Sequence, residues 1–341
     1  MRWVNGTGRM SPVTTARAVF SGSAGTVTVS GRVGASGLGF QSNGFLLAGG
    51  TVALASGSSR PAIDVAAGVT GTLTAALSST SGLVKTGSGT LAVTRPLAVT
   101  GTVQVAAGRL AVSGSAAVPQ AVLSVAAGAS VMLPDDPLYE LRVAGLTIAD
   151  AGGRIDVGPG HVTVAPGGIS QAALVADLVA GRGAGDWAGV AGFVSRTATA
   201  ALGAGQSRSL GWVAGGDGSF TVGFAAAGDT NIDGLIDILD AADVLSSGRF
   251  DSGAAAIWAE GDFNYDGVVD VLDVADSLGT GLFDFGPYGS SAMAAGSGAV
   301  AGPVAAVPEP AAGWPAVAGM VAVAARAWHR VGSARRRTRR P

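Results

Sequence analysis

From about Val27 to Val164 the chain is built of short runs in which apolar, often β-branched residues alternate with polar ones, each run closed by Gly. Gly25-Thr-Val-Thr-Val-Ser-Gly31, Gly89-Thr-Leu-Ala-Val-Thr94 and Leu110-Ala-Val-Ser-Gly114 are examples. Alternation at period two, bounded by turn formers, predicts half-buried strands, and nothing in this stretch sustains a helical period. One element recurs as Val65-Ala-Ala-Gly68, Val105-Ala-Ala-Gly108 and Val125-Ala-Ala-Gly128, at intervals of 40 and 20 residues. The wider interval is that of one skipped unit. Units that cannot each bury their own apolar face must stack, so the spacing predicts a solenoid with Gly at corners that need positive φ. An ordinary β-sandwich with low-complexity loops would share the strand pattern but not the recurring interval.

Composition narrows the chemistry. Of 341 residues, 56 are Gly, none is Cys and only His161 and His329 are histidine. Collagen is excluded because the Gly has no strict period of three. A disulfide framework, a thiolate zinc site and a cysteine nucleophile are excluded outright. The acidic residues Asp64, Asp135, Asp136, Glu140, Asp150 and Asp156 are scattered with no repeated position, which is poor material for the paired carboxylates of glycosidic cleavage. His161, in Gly160-His-Val-Thr-Val164, is expected to face solvent on a strand. A short helix is predicted between Ser170 as N-cap and Gly181 as the residue after its end. Trp187 and Trp212, each flanked by Gly-rich turns, are expected to anchor a small subdomain rather than stack on sugars.

Within this region, Ser81-Gly-Leu-Val-Lys-Thr-Gly-Ser-Gly-Thr-Leu-Ala-Val-Thr94 and Thr100-Gly-Thr-Val-Gln-Val-Ala-Ala-Gly-Arg-Leu-Ala-Val112 resemble the autotransporter-associated β-strand repeat. The resemblance covers about 30 residues. It implies a secreted parallel β-solenoid, usually an adhesin or a surface-exposed passenger.

Charge divides the chain sharply. Residues 229–284 carry thirteen acidic side chains against Arg249 alone, a net charge of −12, and residues 285–341 carry seven Arg against Glu309. The acidic block holds two segments offset by 33 residues: Asp229-Thr-Asn-Ile-Asp-Gly-Leu-Ile-Asp-Ile-Leu-Asp240 and Asp262-Phe-Asn-Tyr-Asp-Gly-Val-Val-Asp-Val-Leu-Asp273. Both follow the calcium-loop spacing, with oxygen donors at positions 1, 3, 5, 7, 9 and 12 and Gly at 6. The first loop offers Asp229, Asn231, Asp233, the carbonyl of Leu235, Asp237 and Asp240; the second offers Asp262, Asn264, Asp266, the carbonyl of Val268, Asp270 and Asp273. An all-oxygen set suits Ca²⁺, one ion per loop, and not zinc. Two unit charges about 4 Å apart repel by about 4 kcal/mol at an effective dielectric near 20. Several such pairs rival a small domain's stability of about 5 kcal/mol, so folding here is expected to depend on the cation.

A helix is expected after each loop. Ile238, Leu239, Ala242 and Leu245, and in the second copy Val271, Leu272, Ala275 and Leu278, form apolar stripes at helical spacing, ending at Gly248 and Gly281. Ile236 and Val269 are expected to pair between the loops, with Phe250, Trp258, Leu282 and Phe283 in a small core. This duplicated loop–helix unit, without the helix that precedes an EF-hand loop, resembles a type I dockerin over about 229–284. The resemblance implies a Ca²⁺-folded module that docks on a cohesin-like protein. Apolar Ile238-Leu239 and Val271-Leu272 stand where cohesin binders often carry polar residues, so packing against the chain's own solenoid is the other expectation.

After a Gly/Ala/Ser-rich linker, 285–306, comes Val307-Pro-Glu-Pro310, an apolar run from Ala311 to Ala325, and the Arg cluster that closes the chain. This order resembles the PEP-CTERM sorting signal, whose motif would be Pro308, Glu309 and Pro310. The resemblance implies export, inner-membrane retention through a C-terminal helix and processing by an exosortase-type enzyme. The apolar run is shorter than the roughly 20 residues a spanning helix needs. No signal peptide is visible at Met1, so a late start site or missing upstream sequence is expected. The fold expected is mainly β: a parallel β-solenoid (1–168), a helix and β connector (169–228), a small all-α dockerin-like calcium-loop domain (229–284), the linker, and a sorting tail (307–341). The function expected is non-enzymatic adhesion or display at the cell surface, with extracellular polysaccharide as a partner and no nucleic acid. The alternative is a polysaccharide-degrading hydrolase or lyase, or its accessory subunit, with Asp64, Asp135 and Asp156 as first residues to substitute.

Overall fold

The computed structural model describes residues 16–288 except 56, 58 and 115–117. The expectations for Pro308, Glu309, Pro310, the linker beyond Tyr288 and the terminal helix lie outside the described residues. The chain is mainly β. Its strands are, in order, β1 (Arg17–Phe20), β2 (Gly25–Ala35), β3 (Gly37–Phe40), β4 (Phe45–Leu54), β5 (Ala62–Val65), β6 (Thr70–Leu73), β7 (Ala76–Ser79), β8 (Leu83–Thr86), β9 (Thr90–Val93), β10 (Leu97–Val99), β11 (Gly101–Val105), β12 (Arg109–Val112), β13 (Val118–Val125), β14 (Ser130–Met132), β15 (Glu140–Ile148), β16 (Arg154–Asp156) and β17 (His161–Val164). Then follow helix α1 (Gln171–Arg182), β18 (Gly192–Val194), α2 (Arg196–Gly203), β19 (Ser209–Ala214) and β20 (Phe220–Ala225). Two further helices, α3 (Ile238–Ser247) and α4 (Val271–Gly279), flank a 3₁₀ turn at Trp258–Glu260.

The strands wind into a stack of coils with two main parallel sheets. One runs β1-β3-β5-β8-β11-β13-β15-β17, and the other β4-β6-β9-β12-β14-β16-β18. The middle coils advance by about 20 residues: Thr70 pairs with Thr90, Val103 with Leu123, and Leu110 with Val131. Inward residues of successive coils therefore stack into rows, as in Val103, Leu123 and Leu146, all buried. The recurring Val-Ala-Ala-Gly element ends β5, β11 and β13 on one face, and the skipped unit is β8. Gly68, Gly108 and Gly128 each hold positive φ at the corner that follows, as the turn requires.

In the skipped unit Lys85 occupies the inward row, paired with Val105 in register and 1% exposed. Its ammonium donates to the carbonyls of Thr86 (3.1 Å), Gly87 (2.6 Å) and Ala107 (2.9 Å) around the corner that ends β8. Burial pushes this ammonium down to about 8, against the pull of Asp64.

The coil pattern stops at β17. There β20 adds antiparallel and pairs with β19, so a hairpin closes the first sheet where another coil would otherwise stack. Ser170 caps α1 through its Oγ, which accepts from Ala173 N at 3.2 Å. The helix ends at Gly183 rather than Gly181. Gly181 lies inside it because a Cβ there would collide with the Phe193 carbonyl of β18. Trp187 and Trp212 are both buried anchors.

Candidate metal centre

Each acidic segment folds as a tight loop that runs into a helix. The two loops are near copies, bond for bond. In the first, Asp229 Oδ1 accepts from Asp233 N (3.2 Å) and Oδ2 from Gly234 N (3.0 Å); in the second, Asp262 Oδ1 accepts from Asp266 N (3.1 Å) and Oδ2 from Gly267 N (3.0 Å). Asn231 and Asn264 accept from the same Asp233 and Asp266 amides, at 2.9 and 2.8 Å. Asp237 and Asp270 cap α3 and α4, and Asp240 and Asp273 each return an oxygen to the cap amide at 2.9 Å, completing a capping box. Gly234 and Gly267 carry φ of 85° and 91°, so position 6 makes the reversal that any Cβ would hinder. The residues Asp229, Asn231, Asp233, Asp237, Asp240 and Leu235 thus share one loop. Asp262, Asn264, Asp266, Asp270, Asp273 and Val268 share the other.

Buried carboxylates dominate the electrostatics of both loops. Asp229, Asp240, Asp262 and Asp273 are all buried. Among the described residues their polar partners are backbone amides, the Thr230 side chain and the Tyr288 hydroxyl, while the ion pairs join Arg17 to Asp64, Arg142 to Glu140, Arg196 to Asp135 and Asp156, and Arg249 to Glu260. Burial pushes Asp229 and Asp262 up to about 6 and raises Asp273 as well, with neighbouring Asp charges adding to the rise. Among the described residues no three His, Cys, Asp or Glu side chains converge into one metal cluster. The potential donors are spread over carboxylates, an amide and a carbonyl in each loop, and an all-oxygen set of this kind fits a hard cation such as Ca²⁺.

Three expectations about this module fail. Ile236 and Val269 do not pair with each other. Val269 instead bridges to Phe250 and its carbonyl accepts from Asp251 N (2.9 Å), while the Ile236 carbonyl accepts from Asp284 N (2.8 Å). The segment after each helix thus reaches across to the other loop, and the two copies clasp reciprocally. Phe250 and Phe283 are exposed, whereas Trp258 and Leu282 are buried. The helical stripes face outward: Ile238 is 70% exposed and Leu278 is 73%, with Leu239, Leu245, Val271 and Leu272 similarly open. Between α3 and α4 runs an apolar groove of 270 Å³ lined by Val244, Leu245, Val274, Leu278 and Phe283.

The buried side of the module is supplied by its loops and connector. Trp258 is 0% exposed, stacks on Tyr265 and meets Phe263 edge-on. These rings lie against β19 and β20, where the Tyr265 hydroxyl donates to the Leu210 carbonyl (2.7 Å) and its ring meets Trp187 edge-on. No period in the sequence announces this contact. The one available hint was that Trp258 and Tyr265 are aromatic in a chain with only 6% aromatics.

On the solenoid, the scattered carboxylates are partly drawn together. Arg196 bridges Asp135 (2.7 Å) and Asp156 (3.0 Å), while Asp64 is held by Arg17 (3.0 Å). His161 is half-buried against Gly223 rather than facing solvent, and burial lowers its basicity. Among the described residues no helix is long and apolar enough to cross a membrane.

No family model matches the chain, and no solved structure matches it. Over 151 residues, 44% of its length, the chain is 33% identical to the adhesin BmaC autotransporter of Brucella suis biovar 1 (strain 1330). The match spans 4% of that much longer protein. The chain is therefore a mainly β, parallel solenoid similar in part to an autotransporter adhesin.

Proposed function

We propose that the chain is a non-enzymatic, exported surface protein whose β-solenoid displays a face for adhesion, and whose acidic loop–helix module binds about two Ca²⁺ ions. The observation that carries the surface role is the stack of coils with about 20-residue spacing, joined to the partial likeness to an adhesin. Stacked coils give a long, regular face, suited to repeated weak contacts with an extended ligand such as an extracellular polysaccharide.

Asp229, Asn231, Asp233, the Leu235 carbonyl, Asp237 and Asp240 would hold one ion, and Asp262, Asn264, Asp266, the Val268 carbonyl, Asp270 and Asp273 the other. The ion supplies positive charge to carboxylates that, among the described residues, are buried without a basic partner. Gly234 and Gly267 close the loops, Asp240 and Asp273 tie each loop to its helix, and Tyr288 fixes one oxygen of Asp229. The module's partner is its own solenoid in this reading, supported by the Trp258–Tyr265 contact, and not a separate cohesin-like protein. The tail 307–341, with Pro308, Glu309 and Pro310, acts as a sorting signal for an exosortase-type enzyme and holds the chain at the inner membrane before release.

Immunolabelling of intact cells with an antibody against residues 60–160 tests the surface role. Labelling without permeabilisation is the expected result; signal only after permeabilisation would refute it.

A further inference from the structure

Gly211 of β19 and Gly223 of β20 stand directly opposite each other in the terminal hairpin. Side by side they leave a bare notch in the last sheet face, and the module fills it together with the His161 ring, which covers Gly223. A Cβ at Gly211 would lie 2.5 Å from Trp258 Cε2 and 2.8 Å from Ile232 Cγ2; one at Gly223 would lie 3.3 Å from Ile232 Cδ1. Ile232 is the fourth residue of the first loop, and Tyr265, which grips the Leu210 carbonyl, is the fourth residue of the second. Both hold φ in the left-handed region, 56° and 63°, which a β-branched or bulky side chain adopts only at a cost. The same backbone reversal that gathers the loop oxygens therefore turns both side chains onto the hairpin. Trp258 completes the link by donating its Nε1–H at 2.7 Å to the carbonyl of Asp229, the first residue of the first loop.

We infer that the module is a cation-gated end cap of the solenoid, in which the ion-binding conformation of the loops and the docking of Ile232, Trp258 and Tyr265 on β19–β20 are one two-state element. This rests on the cation reading above and adds a regulatory consequence. With the loops loaded, the notch is filled and the last sheet edge is sealed. With the ions removed, the strained fourth positions relax, the aromatic cluster lifts, and β19–β20 open to solvent. Because coupling is reciprocal, anything that undocks the cap also weakens cation binding by the same factor.

The test uses the full chain, calorimetry with CaCl₂ as the probe, and amide hydrogen exchange over residues 207–227 in Ca²⁺ or in excess EDTA. The expected result is that exchange in β19–β20 speeds at least about tenfold on chelation while residues 83–112 are unchanged. Gly211→Ala should weaken calcium binding by about 5–150-fold, the range of ordinary coupling energies, without altering a single loop donor. Should that variant fail to fold, Tyr265→Phe removes only the hydroxyl bond to Leu210 and should weaken binding about fivefold. Calcium binding with unchanged exchange and unaltered variant affinity overturns the gating while leaving the cation site intact. Absence of calcium binding overturns the cation reading and the gate with it.

Discussion

Lys85 carries a charge into a row whose other members, Leu38, Ile63, Val105 and Val125, are apolar, and what keeps it there is the set of three corner carbonyls on its ammonium. Truncation to Ala would take the ammonium from those carbonyls and leave a void of three methylenes and the ammonium. Lys85→Ala should therefore destabilise the chain by about 2–5 kcal/mol, read as a lower urea midpoint. Asp177 shows the opposite case, a carboxyl that burial and the nearby Asp150 raise from 3.8 to about 6. Between these values the native state binds more protons than the unfolded one, so stability falls as pH rises from about 4 to about 6. Asp229 and Asp262 add to the same slope, so Asp177→Asn should lessen it and gain on the order of 1–3 kcal/mol at neutral pH, measured by denaturant titration across pH. A variant with the wild-type slope would show that Asp177 is not the group responsible.

At the level of elements, much was legible where the period of the sequence is also the period of the structure. The interval between Val105 and Val125 is the pitch of one coil, and the wider gap back to Val65 left room for β8. The turns of the two acidic loops were equally readable, because Gly234, Gly267 and the Asp side chains that accept from loop amides act locally. What escaped was tertiary. The apolar surface at Ile238 and Leu239 was expected to pack on a cohesin-like protein or the solenoid, yet the module turns its loops and Trp258 to the solenoid instead, since β19–β20 offer a glycine notch that sequence spacing does not encode. Gly181 was misplaced for a similar reason, as its missing side chain answers to Phe193 of a strand further along and not to a helix end. Gly181→Ala should cost about 1–3 kcal/mol through overpacking, whereas Gly203→Ala, at the end of α2 with open space around its would-be Cβ, should be neutral or gain up to about 1 kcal/mol. Thermal melts of the pair distinguish them; equal effects would contradict the packing argument.

Across the whole molecule, charge and stacking divide the labour. The coils hold themselves by rows of apolar side chains, while the acidic module concentrates a charge of −12 at the end of that stack. In the proposed reading a cation answers that charge at the buried carboxylates of Asp229, Asp240, Asp262 and Asp273. Equilibrium dialysis of the full chain against ⁴⁵Ca²⁺ counts such partners directly. About two ions per chain, falling to about one in Asp262→Asn, is the predicted result. No retained calcium at millimolar free ion, with a circular dichroism spectrum identical in EDTA, would contradict it.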